Sequence, residues 1–145
     1  MKFSFLGFNA HARPLAEAIR AHPEHQFAAA YDPGADFPTE DFPGVQQEPQ
    51  WEAVLHNSES DIVVIAPLDS IVDQEDRLRR LVQCERPTIA LQPFCSVLAA
   101  FEMEMIQAQT TAPLICYTPA DYHPFRKDLK SWLADPSTSP VGRIW

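Results

Sequence analysis

The fold is decided by the stretch FSFLGFNAHARPLAEAIRA, residues 3–21, in which a short apolar run ends at a glycine and a helical pattern follows. Residues 3–6 have the composition of a buried strand, and residues 12–21 place apolar side chains on one helical face. Pro14 falls in the first turn of that helix, where its missing amide would have had no partner anyway. The stretch therefore predicts a strand, a tight turn and a helix.

The same alternation continues along the chain. Further strands are predicted over residues 26–31, 61–66, 88–91 and 114–117, and further helices over 51–56, 74–85, 97–109 and 124–133. Four prolines between residues 33 and 49 predict an irregular connection there. Strands that alternate with helices indicate an α/β fold, a doubly wound and mostly parallel Rossmann-like sheet in a single domain.

Composition and charge exclude several classes of protein. The 145 residues are 46% hydrophobic and 21% charged, with a net charge of -9, which disfavours non-specific binding of nucleic acid. The three cysteines, Cys84, Cys95 and Cys116, form no CxxC pair and are interpreted as partly buried thiols in a reducing cytosol. Neither a metal site, a signal peptide nor a membrane span is predicted, so we expect a soluble cytoplasmic protein without nucleic-acid or membrane partners.

The turn after the first strand matches a dinucleotide-binding pattern in part. The pattern G-x-G-x-x-G/A between strand and helix is met by Gly7 and Ala12, but Asn9 stands where the second glycine is expected. Asn tolerates left-handed backbone angles, so the turn can survive, and the start of the helix still offers amides to a phosphate. The alternative is an ordinary strand-turn-helix connection that binds nothing.

Asp32 lies twenty residues beyond Ala12, at the end of the second predicted strand. An acidic residue there binds ribose hydroxyls and repels a 2′-phosphate, and no arginine follows it, so NAD is favoured over NADP as the cofactor. A turn-forming aspartate before Pro33 and Gly34 is the alternative role.

In the order of these motifs the chain resembles the N-terminal domain of the Gfo/Idh/MocA oxidoreductase family, which includes glucose-fructose oxidoreductase and inositol dehydrogenase. Residues 7–23 resemble the family's first turn and helix, and residues 61–67 its third strand. Residues 91–93 stand where the family has Glu-Lys-Pro, and residues 121–130 resemble the segment before its last helix. The resemblance implies a dinucleotide-binding domain over residues 1–140, with residues 141–145 beginning a strand that leads to a second domain not present in this chain.

The resemblance also implies which residues contact the cofactor. Gly7, Asn9 and Ala10 would lie at the phosphates and Asp32 at the ribose. Ala66 and Pro67 would line the nicotinamide side, and Gln92 would face the reacting centre. Gln92 replaces the family's lysine and cannot act as a general acid or base near neutral pH, so no catalytic residue is assigned to this chain.

A substitute proton carrier was sought among the histidines. His123 lies near Tyr122 and Arg126, and its type suits proton transfer, although a capping or packing role before Pro124 is favoured. His11 is either a partner for an anion or a surface residue. The arginines of residues 77–86 are interpreted as a solvated face paired with neighbouring carboxylates.

Three hypotheses follow for the function. The leading one is the NAD-binding domain of an oxidoreductase acting on a sugar or polyol hydroxyl, without turnover in the isolated domain. The second is a pseudoenzyme that binds the dinucleotide as a structural or sensing ligand. The third is an interaction module with an empty nucleotide site. Pairing of two copies through an exposed edge at Ile144 and Trp145 is left open.

Overall fold

A computed structural model describes residues 1–33, 37–92 and 95–118. The helices and strands follow one another in the order β1 (Lys2–Leu6), α1 (Arg13–Ala21), β2 (Gln26–Tyr31), β3 (Gln46–Gln47), α2 (Trp51–His56), β4 (Ile62–Ile65), α3 (Ile71–Gln83), β5 (Thr88–Leu91), α4 (Val97–Gln107) and β6 (Leu114–Tyr117).

All strand pairs are parallel, in the order β3-β2-β1-β4-β5-β6. The predicted α/β, doubly wound, Rossmann-like fold is thereby confirmed. The chain first builds outward from β1 through β2 to β3, and then returns to the other side of β1 for β4, β5 and β6. The point between β1 and β4, where the direction of winding reverses, is where open α/β sheets bind ligands, beyond the carboxyl ends of the strands.

Apolar residues cover both faces of the sheet. Alternate residues of β4 point to opposite sides: Val64 packs with the phenylalanines beneath α1, whereas Val63 and Ile65 pack with α2 and α3. Strands buried on both faces read as continuous β-branched runs, which is why β4 was recognisable from its sequence.

The segment predicted as an irregular connection contains a strand and two core residues. Gln46–Gln47 pairs with Ala29 and Ala30 of β2 as a sixth strand that the sequence did not predict. Two exposed glutamines carry no hydrophobic alternation, so the pattern that marks a strand is missing here. Phe37 and Phe42 of the same segment are buried against the sheet.

The third helix begins earlier than predicted, at Ile71 instead of residue 74. Ser70 provides the N-cap, because its hydroxyl accepts a hydrogen bond of 3.2 Å from the amide of Asp73. The helix ends at Gln83, and Glu85 then adopts a left-handed backbone with φ of 53°. The predicted last helix, residues 124–133, and the strand start at 141–145 lie outside the described residues.

Candidate functional site

The carboxyl ends of β1, β2 and β4 surround a small cleft of about 150 Å³ at the winding reversal. Its lining comprises residues from the three segments that leave these strands: Gly7, Phe8 and Asn9 after β1, Asp32 and Pro33 after β2, and Pro67, Leu68 and Asp69 after β4. Four of the seven residues proposed from the sequence as cofactor contacts therefore meet in one place.

Gly7 is required by the turn itself. Its φ of +80° is strained for any residue with a side chain, and its amide donates a 2.7 Å hydrogen bond to the carbonyl oxygen of Tyr31. A Cβ at this position would lie 2.9 Å from Cδ2 of Leu68 and 3.5 Å from Cβ of Ala66. The glycine therefore lets the turns after β1 and β4 approach each other.

The side chain of Asn9 is fully engaged by the protein. Its Nδ2 donates to the carbonyl oxygen of Pro67 at 2.8 Å, and its Oδ1 accepts from the amides of His11 at 3.0 Å and Ala12 at 3.2 Å. Asn9 was expected to tolerate a left-handed backbone conformation, but its φ is not positive, so the turn does not require that conformation here. Asn9 instead closes the turn that precedes α1 and links the ends of β1 and β4.

Other amides of the turn have no such partner. Among the described residues, the amides of Phe8, Asn9 and Ala10 donate to no protein acceptor. Ala10 is exposed, as is His11. An anion that reaches this turn therefore meets three unused amides beside two that Asn9 already holds.

A second cleft of about 150 Å³ adjoins the first and shares Pro33, Leu68 and Asp69 with it. It extends along the start of α3 to Asp73 and Arg77. The two neighbouring clefts are together called the groove below.

Arg77 is a groove residue that sequence reasoning missed. Its guanidinium lies 5.3 Å from the centre of the Tyr31 ring and 5.6 Å from that of Trp51. The sequence pattern predicted that Arg77 lies on a solvated helix face with the other arginines. The packing of α3 against the end of β2 brings it to the groove instead. No signal in the sequence links Arg77 with Tyr31, since the two are far apart along the chain.

The other arginines of this helix behave largely as expected. Arg79 and Arg80 both pair with Asp76, and Arg79 also bonds Glu102 of α4 at 2.8 Å. Arg86 departs from the predicted pairing with neighbouring carboxylates, since it donates to the carbonyl oxygens of Asn57 and Ser60.

The cation next to the turn is also occupied. Arg13 pairs with Asp41 at 2.6 Å and with Glu17 at 3.0 Å, and its hydrogen bond with Asp41, followed by that with Glu17, raises its pKa. Asp32 and Asp69 add carboxylates to the cleft lining.

Three residues proposed from the sequence lie outside this lining: Ala10, Ala66 and Gln92. Ala10 is exposed in the turn after β1. Ala66 has no exposed surface and lies beneath Gly7, so it supports the cleft from below. Gln92 is exposed at the end of β5, where its amide donates to the carbonyl oxygen of Tyr117 at 3.2 Å. His123, Tyr122 and Arg126 lie outside the described residues.

The cysteines are all free, as the sequence suggested, but their burial was predicted wrongly for two of them. Cys84, at the C-cap of α3, is exposed, and so is Cys116 in β6, the last of the described strands. Cys95 is half-buried, and burial raises its pKa to about 11. Among the described residues no cluster of His, Cys, Asp and Glu could hold a metal ion.

This pKa predicts a slow reaction of Cys95 with alkylating reagents. At pH 8 its thiolate fraction is about a hundredfold below that of an ordinary thiol, so mass spectrometry should find Cys84 modified well before Cys95. Folding favours the protonated thiol of Cys95. The contribution of this thiol to the free energy of unfolding is therefore complete below pH 9 and is lost as the pH rises through about 11. Equal alkylation rates in the folded chain would contradict this.

No helix in the described part of the chain is long and apolar enough to cross a bilayer. No family model and no curated protein matches the sequence.

Solved structures do match. The chain is similar to biliverdin reductase from Synechocystis sp. PCC 6803 in complex with biliverdin and NADP+, with 14% identity, 91% of this chain and 42% of that chain covered, and a TM-score of 0.78. It is similar to KijD10, a 3-ketoreductase from Actinomadura kijaniata in complex with TDP-benzene and NADP, with 18% identity, 92% and 43% covered, and a TM-score of 0.76. It is also similar to an oxidoreductase from Bacillus cereus, with 15% identity, 93% of this chain and 41% of that chain covered, and a TM-score of 0.72.

The chain spans about two fifths of the length of these structures. The fold that the resemblance to the Gfo/Idh/MocA oxidoreductases implies is confirmed, since these solved structures share it. The chain therefore has a Rossmann-like α/β fold that it shares with part of these larger enzymes.

Proposed function

We propose that this chain is the dinucleotide-binding domain of a Gfo/Idh/MocA-like oxidoreductase. The observation that carries the proposal is the groove at the winding reversal, which brings together Gly7, Asn9, Asp32 and Pro67 at the carboxyl edge of the sheet. Residues far apart in sequence meet there, and the carboxyl edge at a winding reversal is where open α/β sheets bind ligands.

The residues fit the adenosine end of such a cofactor. Asp32, at the end of β2, can accept hydrogen bonds from ribose hydroxyls, and the adjoining cleft between Pro33, Leu68 and Arg77 offers an apolar wall and a cation for a flat base. The phosphates would bind the unused amides of Phe8, Asn9 and Ala10. When bound, a nicotinamide dinucleotide supplies hydride transfer.

We propose NAD as the preferred cofactor. Asp32 and Asp69 both line the cleft and would repel a 2′-phosphate. Arg77 acts in the opposite direction, because its guanidinium would attract that phosphate. Two of the structural neighbours contain NADP, so both cofactors belong in the test.

The substrate would be a sugar or polyol, bound on the side of Gln92 with residues that this chain alone does not provide. In this proposal residues 1–140 bind the cofactor, and residues 141–145 lead into a second domain. Gln92 can hold a substrate hydroxyl by hydrogen bonds but cannot move its proton near neutral pH.

Calorimetric titration with NAD and NADP tests the proposal. We expect saturable NAD binding that Asp32→Ala weakens by about 10- to 100-fold, since hydrogen bonds to a charged group contribute about 1.5–3 kcal/mol. NADP affinity should fall less, because the same substitution removes a repulsion from its 2′-phosphate.

Asp61→Ala is the matched control. It removes the same charge at the opposite edge of the sheet, where Asp61 accepts a hydrogen bond from the amide of Lys2. NAD binding should be unchanged in this variant. The proposal fails if the unaltered chain does not bind either cofactor, or if the two variants weaken NAD binding equally.

A second candidate is a domain that binds a nucleotide without turnover. Gln92 favours it, because a glutamine stands where the resembled family has a lysine, and a glutamine cannot move a proton near neutral pH. NAD-dependent oxidation of a sugar or polyol by the chain, followed through the absorbance of the reduced nicotinamide, would exclude this candidate.

A further inference from the structure

We infer that Asn9 is the residue that sets the affinity of this site for phosphates, because its side chain occupies amides that a pyrophosphate would use. This inference rests on the proposed function and adds to it a ligand preference. The chain should recognise the nucleoside part of its ligand well and gain little from the phosphates.

The hydrogen bonds of Asn9 leave one orientation for its amide group. Oδ1 faces the donors of His11 and Ala12, and Nδ2 faces the carbonyl acceptor of Pro67. A reversed amide would set donors against donors and the oxygen against an oxygen. Both Oδ1 and Nδ2 of Asn9 therefore have protein partners, and each set of hydrogen bonds keeps the amide group in the orientation that the other set requires.

Oδ1 of Asn9 accepts from two amides of the turn that leads into α1, and such amides are the donors that a bound anion would use. The start of a helix presents amides and the positive end of its dipole, and both attract negative charge. Oδ1 of Asn9 satisfies the amides of His11 and Ala12 from within the chain, whereas a glycine at this position would leave the amide of His11 to the ligand.

A phosphate must therefore displace Asn9 or bind beside it. Displacement breaks the two bonds to Oδ1 and also frees the carbonyl oxygen of Pro67, which lines the same cleft. That exposed carbonyl would face the phosphate oxygens and repel them. Binding beside Asn9 avoids these costs but leaves only the amides of Phe8, Asn9 and Ala10 to the phosphate.

In the part of the chain that the structure describes, the cation next to the turn does not compensate. Arg13 is held by Glu17 and Asp41, and the carboxylates of Asp32 and Asp69 line the cleft. Phosphate binding here therefore depends on backbone amides, which makes the competition by Asn9 decisive for affinity.

Titration of Asn9→Gly with adenosine and with ADP-ribose tests the inference. The variant should bind ADP-ribose about tenfold or more tightly than the unaltered chain does, because the ligand no longer replaces intramolecular hydrogen bonds. Adenosine, which has no phosphate, should bind the two proteins equally. Thermal unfolding checks that the variant is folded.

Asn57→Gly is the matched control. Asn57 makes a comparable local bond, accepting from the amide of Glu59 at 2.9 Å, but it lies before β4 at the opposite edge of the sheet. Its replacement should leave both affinities unchanged. Hydrogen exchange gives a second readout: the amide of His11 should exchange faster in Asn9→Gly and not in Asn57→Gly.

The outcomes separate this inference from the proposed function. If the unaltered chain binds NAD and Asn9→Gly binds ADP-ribose no more tightly, the inference is overturned and the proposed function stands. Weaker ADP-ribose binding by the variant would show that Asn9 contacts the phosphate directly, and would also overturn it. If neither protein binds NAD, adenosine or ADP-ribose, both the inference and the proposed function fail.

Discussion

Phe5→Ala should lower the free energy of unfolding by about 3–5 kcal/mol, the usual cost of removing a buried phenylalanine ring. Phe5 lies in the central strand β1 and has no exposed surface. Its ring centre lies 4.6 Å from that of Phe27 and 6.1 Å from that of Phe8, so the alanine would leave a cavity between residues that are themselves buried. Urea unfolding followed by circular dichroism measures the loss.

Phe101→Ala is the corresponding control. Phe101 is 60% exposed on α4, so the same substitution should change stability by no more than about 0.5 kcal/mol. A loss below about 1 kcal/mol for Phe5→Ala would mean that the core beneath α1 is not packed as described.

The phenylalanine cluster shows how far a sequence can predict a core. Phe3 and Phe5 stand in a recognisable strand, so their burial followed from the pattern. Phe37 and Phe42 stand between prolines, in a stretch without helical or strand periodicity, yet both pack against Phe8. Such burial depends on where an irregular segment crosses the sheet, and local patterns do not contain that information.

The candidate site likewise contains residues whose position could be predicted from the sequence and residues whose position could not. Gly7, Asp32 and Pro67 were predictable because each follows a strand, and parallel strands end at one edge. The position of Arg77 was not, since it depends on the packing of α3 against Tyr31 and Trp51. The role of Asn9 needed the structure as well: the sequence showed a missing glycine, but only the hydrogen bonds show what the asparagine does instead.

Gly7→Ala should cost more stability than Gly44→Ala, and the comparison isolates the close approach of the two turns. Both glycines have a left-handed backbone, with φ of +80° and +85°, so each substitution carries a backbone cost of about 1–2 kcal/mol. A Cβ at Gly44 meets nothing within 4 Å, whereas one at Gly7 lies 2.9 Å from Cδ2 of Leu68. The total for Gly7→Ala should therefore reach roughly 2–3 kcal/mol.

The size of the difference tests how rigidly the turns after β1 and β4 are held. Leu68 can yield by rotating its side chain, but its amide donates to Oε1 of the buried Gln74 at 2.9 Å, which fixes its backbone. Equal losses in chemical unfolding would mean that Leu68 moves aside without cost. A larger loss at Gly7 would mean that the cleft wall is held in place, which is the condition for Asn9 to keep its bond across it to Pro67.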